Sequence, residues 1–199
     1  MTFLKFLLML IAGALAIIAT VYVVNLFNHY EIPCFWPFVI GGVGGGAAAL
    51  SARVLQEETI GPVATAMLLL LLTTLAIVTF KHFEYEAWRT QLIQSISRTN
   101  AQFASLPLIE KELILDKELE TVTGRTGYLS YLMFPQYNFD LVIELIEDSG
   151  IEIPIHFRFK GTMAIVVRFL IAIFDTLFAY AATFLAWTWI RVLLGLDLD

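Results

Sequence analysis

Cysteine is almost missing from this 199-residue chain: Cys34 is the one thiol. That excludes an internal disulfide framework and any multi-cysteine metal centre. Charge is scarce as well. Lys, Arg, Asp and Glu make up 15% of the residues, against about 25% in soluble domains. The formal net charge of −6 provides no basic surface for nucleic acid, which is therefore not an expected partner. No Ser-His-Asp order, phosphate loop or helical H-E-x-x-H motif occurs. The histidines, His29, His82 and His156, stand near the ends of apolar runs. His82 and Glu86 share a helical face, and His29 and Cys34 flank one loop, but two ligands do not make a site. Cys34 has no local base to make it a nucleophile. The chain is thus expected to be no enzyme and to hold no cofactor or metal.

What remains is apolar. Hydrophobic residues are 59% of the chain and the mean hydropathy is +0.79, which excludes a purely water-soluble globule. Four stretches reach the roughly 20 residues that a helix needs to cross a bilayer: 3–27, 34–55, 60–80 and a longer run from Gly161 to Leu194. The core of the last is Phe169 to Ile190, fenced by Arg168 and Arg191. Lys5 and Ala14-Leu15-Ala16 would suit a cleaved signal, yet the first run is too long for one, so a retained anchor is expected. Aromatic residues near the run ends, Tyr22, Trp36, Trp187 and Trp189 among them, match interfacial belts.

The expected fold is an α-helical, multi-pass membrane protein: helices 1–3 within 1–83, a small α+β extramembrane domain over 84–160, and helix 4 with a tail over 161–199. Four spans put both termini on one face. Lys5 and the lysine-free loop 28–33 argue for termini in the cytoplasm, beneath a cell inner (plasma) membrane. The segment 84–161 carries 12 acidic and 7 basic side chains with apolar residues throughout, too many for a disordered linker. Its opening, 84–104, places Trp88, Leu92, Ile96 and Phe103 near helical spacing, and 108–122 is expected to be helical. Gly124-Arg125-Thr126-Gly127 reads as a turn, and 128–134 as a strand or short helix. Asn138 is expected to cap a helix over 139–148, ended by Ser149-Gly150. Ile153, Ile155, Phe157 and Phe159 alternate with polar residues and Pro154, as in an edge strand.

Two features invite a functional reading. In the second span, Gly42, Gly44 and Ala47 match the G-x-G-x-x-G/A dinucleotide fingerprint, but no strand precedes them and no acid follows at the required distance. The same stretch read as a helix gives two overlapping small-xxx-small pairs, Gly41/Gly45 and Gly42/Gly46, with Ala49 extending the second. Such faces admit close packing against another helix.

Asp175 is the other feature. It lies seven residues beyond Arg168 in the fourth span, on a small and polar face with Ala172, Ala179, Ala182 and Ala186. An intramembrane carboxylate is a functional candidate by default. Its structural alternatives are a pair with Arg168, Arg53 or Arg191, or a protonated carboxyl hydrogen-bonded to a neighbouring helix. Arg168, two turns away on the same helix, is too far for a direct bond in a straight span. Gly124, Gly127, Tyr128 and Tyr131 form a third, weaker candidate, a surface for a ligand or partner. These features point to an accessory subunit that engages in protein–protein interaction within a larger membrane complex, with the bilayer and other subunits or copies of itself as partners. The alternatives are a homo-oligomeric channel or transporter using Asp175, and a membrane sensor using the 124–131 cluster.

Overall fold

The structure, a computed structural model, describes residues 3–27, 34–56, 60–144 and 152–195, with side chains described outside 138–144 and 152–157. Four helices are long and apolar enough to span a membrane: α1 (Phe3–Phe27), α2 (Phe35–Val54), α3 (Pro62–Thr99) and α7 (Thr162–Leu193). The chain is an α-helical membrane protein. Helices are the economical answer for such runs, because hydrocarbon offers backbone N–H and C=O groups no partner and a helix satisfies them internally. The chain divides into two compact units, one of Met1–Phe83 with Ile171–Asp199 and one of Glu84–Leu170.

The first unit is a helical bundle. Its core joins Met9, Ile17 and Val21 of α1, Ile40, Ala48 and Ala52 of α2, Leu68, Leu72 and Phe80 of α3, and Trp187 of α7. The five-leucine run shows the helical period at work: Leu68, Leu69 and Leu72 are buried while Leu70 and Leu71 face outward. The glycine-rich stretch sets the packing of α2. A Cβ added at Gly41 or Gly45 would overlap the carbonyl oxygens of Ala179 or Thr183 in α7, and one added at Gly44 would lie 2.6 Å from the Ile17 side chain of α1. Gly42 is different, with only Ala182 Cβ nearby at 3.9 Å. The glycines thus let α2 approach α1 on one side and α7 on another.

The second unit holds the later part of α3, then α4 (Ala101–Ala104), α5 (Leu108–Thr123), α6 (Tyr128–Met133), the strands β1 (Gln136–Glu144) and β2 (Glu152–Lys160), and the start of α7. Ile93, Phe103, Leu115 and Leu119 form its core, with Trp88, Leu92, Ile96 and Phe134 packed around them. The four residues marked by helical spacing in 84–104 all join this core. The helix they belong to is not continuous, however, because Asn100 interrupts it and its side chain accepts the Phe103 N–H at 3.1 Å as a new N-cap. Gly124 closes α5 with φ +67°, donating its N–H to Glu120 O, the left-handed cap that glycine adopts without steric cost. Residues 128–133 are the short helix of the two alternatives.

One expectation is overturned. The helix read over 139–148 is instead the strand β1 as far as Glu144, and Asn138 lies within that strand, not ahead of a helix; residues 145–148 and the Ser149-Gly150 stop lie outside the described residues. The cause is the partner strand. β1 pairs antiparallel with β2, matching Tyr137 with Phe159, Phe139 with Phe157, Leu141 with Ile155 and Ile143 with Ile153. Phe139, Leu141, Val142 and Ile143 fit either period over so short a run, and a ladder that aligns apolar with apolar residues selects the strand. The strand read at 153–159 is β2, with Pro154 on a sheet edge.

Candidate functional site

The most concentrated chemistry in the bundle is a buried ion pair. Asp175 of α7 and Lys81 of α3 form a salt bridge through Asp175 Oδ2 and Lys81 Nζ, with side chains only 2% and 8% exposed. The other carboxylate oxygen, Oδ1, accepts the Cys34 N–H at 2.8 Å. Asp175 is therefore matched on both oxygens, once by a cation and once by a backbone amide.

The Cys34 contact explains how α2 begins. Cys34 occupies its N-cap position without a side-chain cap, and no acid stands in its first turn. The first N–H groups of a helix lack intrahelical acceptors and carry the positive end of its dipole. Pro37, near that start, has no N–H to leave orphaned. Asp175 reaches across from α7 and supplies the missing acceptor and negative charge. The arrangement holds Cys34 at φ 67°, ψ −28°, a region where a Cβ is strained by about 1–3 kcal/mol. Glycine carries no such penalty, although it adds up to about 1 kcal/mol of unfolded-chain entropy. Cys34→Gly is thus expected to melt above Cys34→Ala in detergent by the equivalent of about 1 kcal/mol; an alanine variant as stable as the glycine one would remove the strain.

This site corrects the sequence reading of Asp175. Its cation partner is Lys81, not Arg53, Arg191 or Arg168. Its signal was present. Lys81 ends the apolar run 60–80 at the same end of the bundle where the fourth run begins, so a carboxylate two turns into that run meets it. On the face assigned to Asp175, Asp175, Ala179, Ala182 and the adjoining Thr183 are buried and Ala172 and Ala186 half-buried, but Thr176, also expected beside it, is exposed.

Arg168 belongs to the second unit and bonds within it. Its guanidinium is buried and donates from Nη1 to Tyr131 O at 2.7 Å and Phe134 O at 2.6 Å, and from Nη2 to Gln136 O. Aromatic rings surround it: Tyr131 at 4.6 Å, Tyr137 at 5.1 Å, and Trp88 and Phe134 at 5.9 Å from ring centroid to guanidinium carbon. Carbonyl oxygens left over at the end of α6 and ring faces together balance the cation, and the guanidinium fixes the turn from α6 into β1. Tyr131 is buried here and donates from its hydroxyl to Glu84 at 3.2 Å. Burial first, then the Glu84 carboxylate, pushes its phenol well above the usual tyrosine value.

The remaining sequence candidates take definite positions. Gly124 and Gly127 both have positive φ at the two ends of the α5–α6 turn. Tyr128 is half-buried with its ring 5.5 Å from that of the buried Tyr131, whereas Gly124 and Gly127 are exposed. His82 is exposed, and among the described residues no three His, Cys, Asp or Glu side chains gather as a metal site. The loop 28–33 with His29, and the side chain of His156, lie outside what is described. No family model, curated protein or solved structure matches the chain.

Proposed function

We propose that this chain is a non-enzymatic membrane protein acting as a subunit or assembly partner of a larger membrane complex. In this reading the four long helices span a cell inner membrane. The segment 84–160 is a small α+β extramembrane domain inserted before the last span, and both termini are cytoplasmic. The observation that carries the reading is the state of Asp175. A relay or conducting carboxylate must exchange its proton or ion with a path, whereas both oxygens of Asp175 are engaged by Lys81 and the Cys34 amide. That favours the assembly reading over the channel reading.

A second observation supports a partner. On α5, Ile109 and Leu113, one helical turn apart, are 78% and 73% exposed, and Leu108 stands beside them. Exposed apolar residues grouped in this way, outside the spans, suit a contact surface. The test is to extract the protein from its native membrane in mild detergent and determine particle mass and composition. Foreign chains in a fixed ratio are expected. A particle built only of copies of this chain would overturn the proposal and bring the channel reading forward.

A further inference from the structure

β1 and β2 make a sheet of two strands, and among the described residues no strand lies beyond either edge. Each strand has nine residues, about 30 Å at roughly 3.3 Å per residue. A ribbon of two strands is marginal alone, and three or more strands give independent stability. Long open edges are also templates for further pairing.

The register identifies the open edge. Gly161 N–H donates to Pro135 O at 2.9 Å, one step beyond the matched pair Gln136 and Lys160, so positions 135 and 161 are a hydrogen-bonded pair. Bonded and non-bonded pairs alternate along an antiparallel ladder. Odd-numbered residues of β1 therefore bond inward to β2, and the backbone groups of Asn138, Asp140, Val142 and Glu144 turn outward. The acceptance of Arg168 by Gln136 O, another even position, agrees with this parity. On β2 the same rule turns Pro154 outward, opposite Val142, and its missing N–H blunts that edge. Among the described residues, what stays open is the outer edge of β1 from Asn138 to Glu144, which contains no proline.

We propose that this edge pairs antiparallel with β1 of a second copy about a two-fold axis at Leu141, making one four-stranded sheet. The outward residues choose both the partner and the register. Centred on Asp140, the axis would set Asp140 against itself; centred on Val142, it would set Asp140 against Glu144. Like charges directly opposite destabilise a ladder. Centred on Leu141, Asp140 meets Val142 and Asn138 meets Glu144, all four outward residues bond, and no acid faces an acid. Centred on Phe139, the pairing would need Gln136, whose carbonyl Arg168 already occupies. The edge is thus complementary to itself, the requirement for a closed two-fold contact.

Leu141 then faces Leu141 of the second copy in a non-bonded pair with Cα atoms about 4.5 Å apart, within disulfide range. Phe139 lies opposite Ile143 of the other copy and about 13 Å along the strand from its own counterpart. The test uses the full chain in its membrane, in a Cys34→Ser background that removes the one native thiol. After mild oxidation, Leu141→Cys should run mainly as a disulfide dimer. Phe139→Cys and Ile143→Cys should each stay monomeric alone and dimerise when co-expressed, a combination that also serves if Leu141→Cys fails to accumulate. Val142→Pro added to Leu141→Cys deletes an outward donor and no β1–β2 bond, and should lower the dimer fraction several-fold. The proposal is overturned if Leu141→Cys links no better than Phe139→Cys alone, if it links to a foreign chain, or if Val142→Pro changes nothing. It concerns copies of this chain alone: a native particle with foreign subunits but a single copy would remove the pairing and leave the proposed function standing.

Discussion

Lys81→Met is expected to destabilise the bundle by about 3–5 kcal/mol, the cost of leaving one charge of a buried pair without its partner. Asp175→Asn should cost a similar amount. Asparagine still offers Oδ1 to the Cys34 N–H, so the loss there is the carboxylate charge facing the buried Lys81 ammonium. The informative variants are double. Lys81→Met with Asp175→Asn removes both charges and retains the acceptor for α2, so most of the stability should return, because a matched pair contributes little net once its desolvation is counted. Lys81→Met with Asp175→Leu removes the acceptor too and should recover less, by the roughly 1–3 kcal/mol of a buried amide left unsatisfied. The charge swap, Lys81→Asp with Asp175→Lys, restores the pair but puts a cation against the N-terminus of α2, where the dipole opposes it, and should also fall short. Thermal midpoints of the purified protein in one detergent rank the series. Single and double variants of equal stability would show that the pair does not hold α3 to α7.

Gly45→Ala and Gly41→Ala are expected to be severe, and Gly42→Ala nearly silent. The three glycines are alike in sequence terms. An added methyl at 45 or 41 would strike the α7 backbone at Thr183 or Ala179, and backbone cannot rotate aside, so the helices must separate. Overpacking costs about 1–3 kcal/mol and occasionally more; these two positions belong at the upper end. At Gly42 the same methyl would sit 3.9 Å from Ala182 Cβ, ordinary contact, and alanine favours the helix by up to about 1 kcal/mol in water. Gly46→Ala should fall between them, since it meets only the tip of Ile190 at 2.9 Å. Yield from membranes and thermal midpoint both report the order. Equal losses at 42 and 45 would count against α2–α7 packing through the Gly41/Gly45 face.

Hydropathy alone determined that this is a helical membrane protein, and it found the four long helices to within a few residues at most ends, because in hydrocarbon the backbone has few other ways to satisfy itself. The glycine turn at 124–127, the strand at 153–159 and the buried face of Asp175 were legible for similarly local reasons: left-handed backbone, strict alternation and small-residue spacing. Tertiary structure decided the rest. Residues 139–144 suit either period, and only the facing residues of β2 make them a strand. Gly42 and Gly45 differ only in what α7 places opposite them. Arg168 is held by carbonyl oxygens and rings gathered from two separate segments, 131–137 and Trp88 of α3. The partner of Asp175 is Lys81, 94 residues away. Each of these outcomes depends on which groups from distant segments arrive at one point, and sequence spacing carries no record of that meeting.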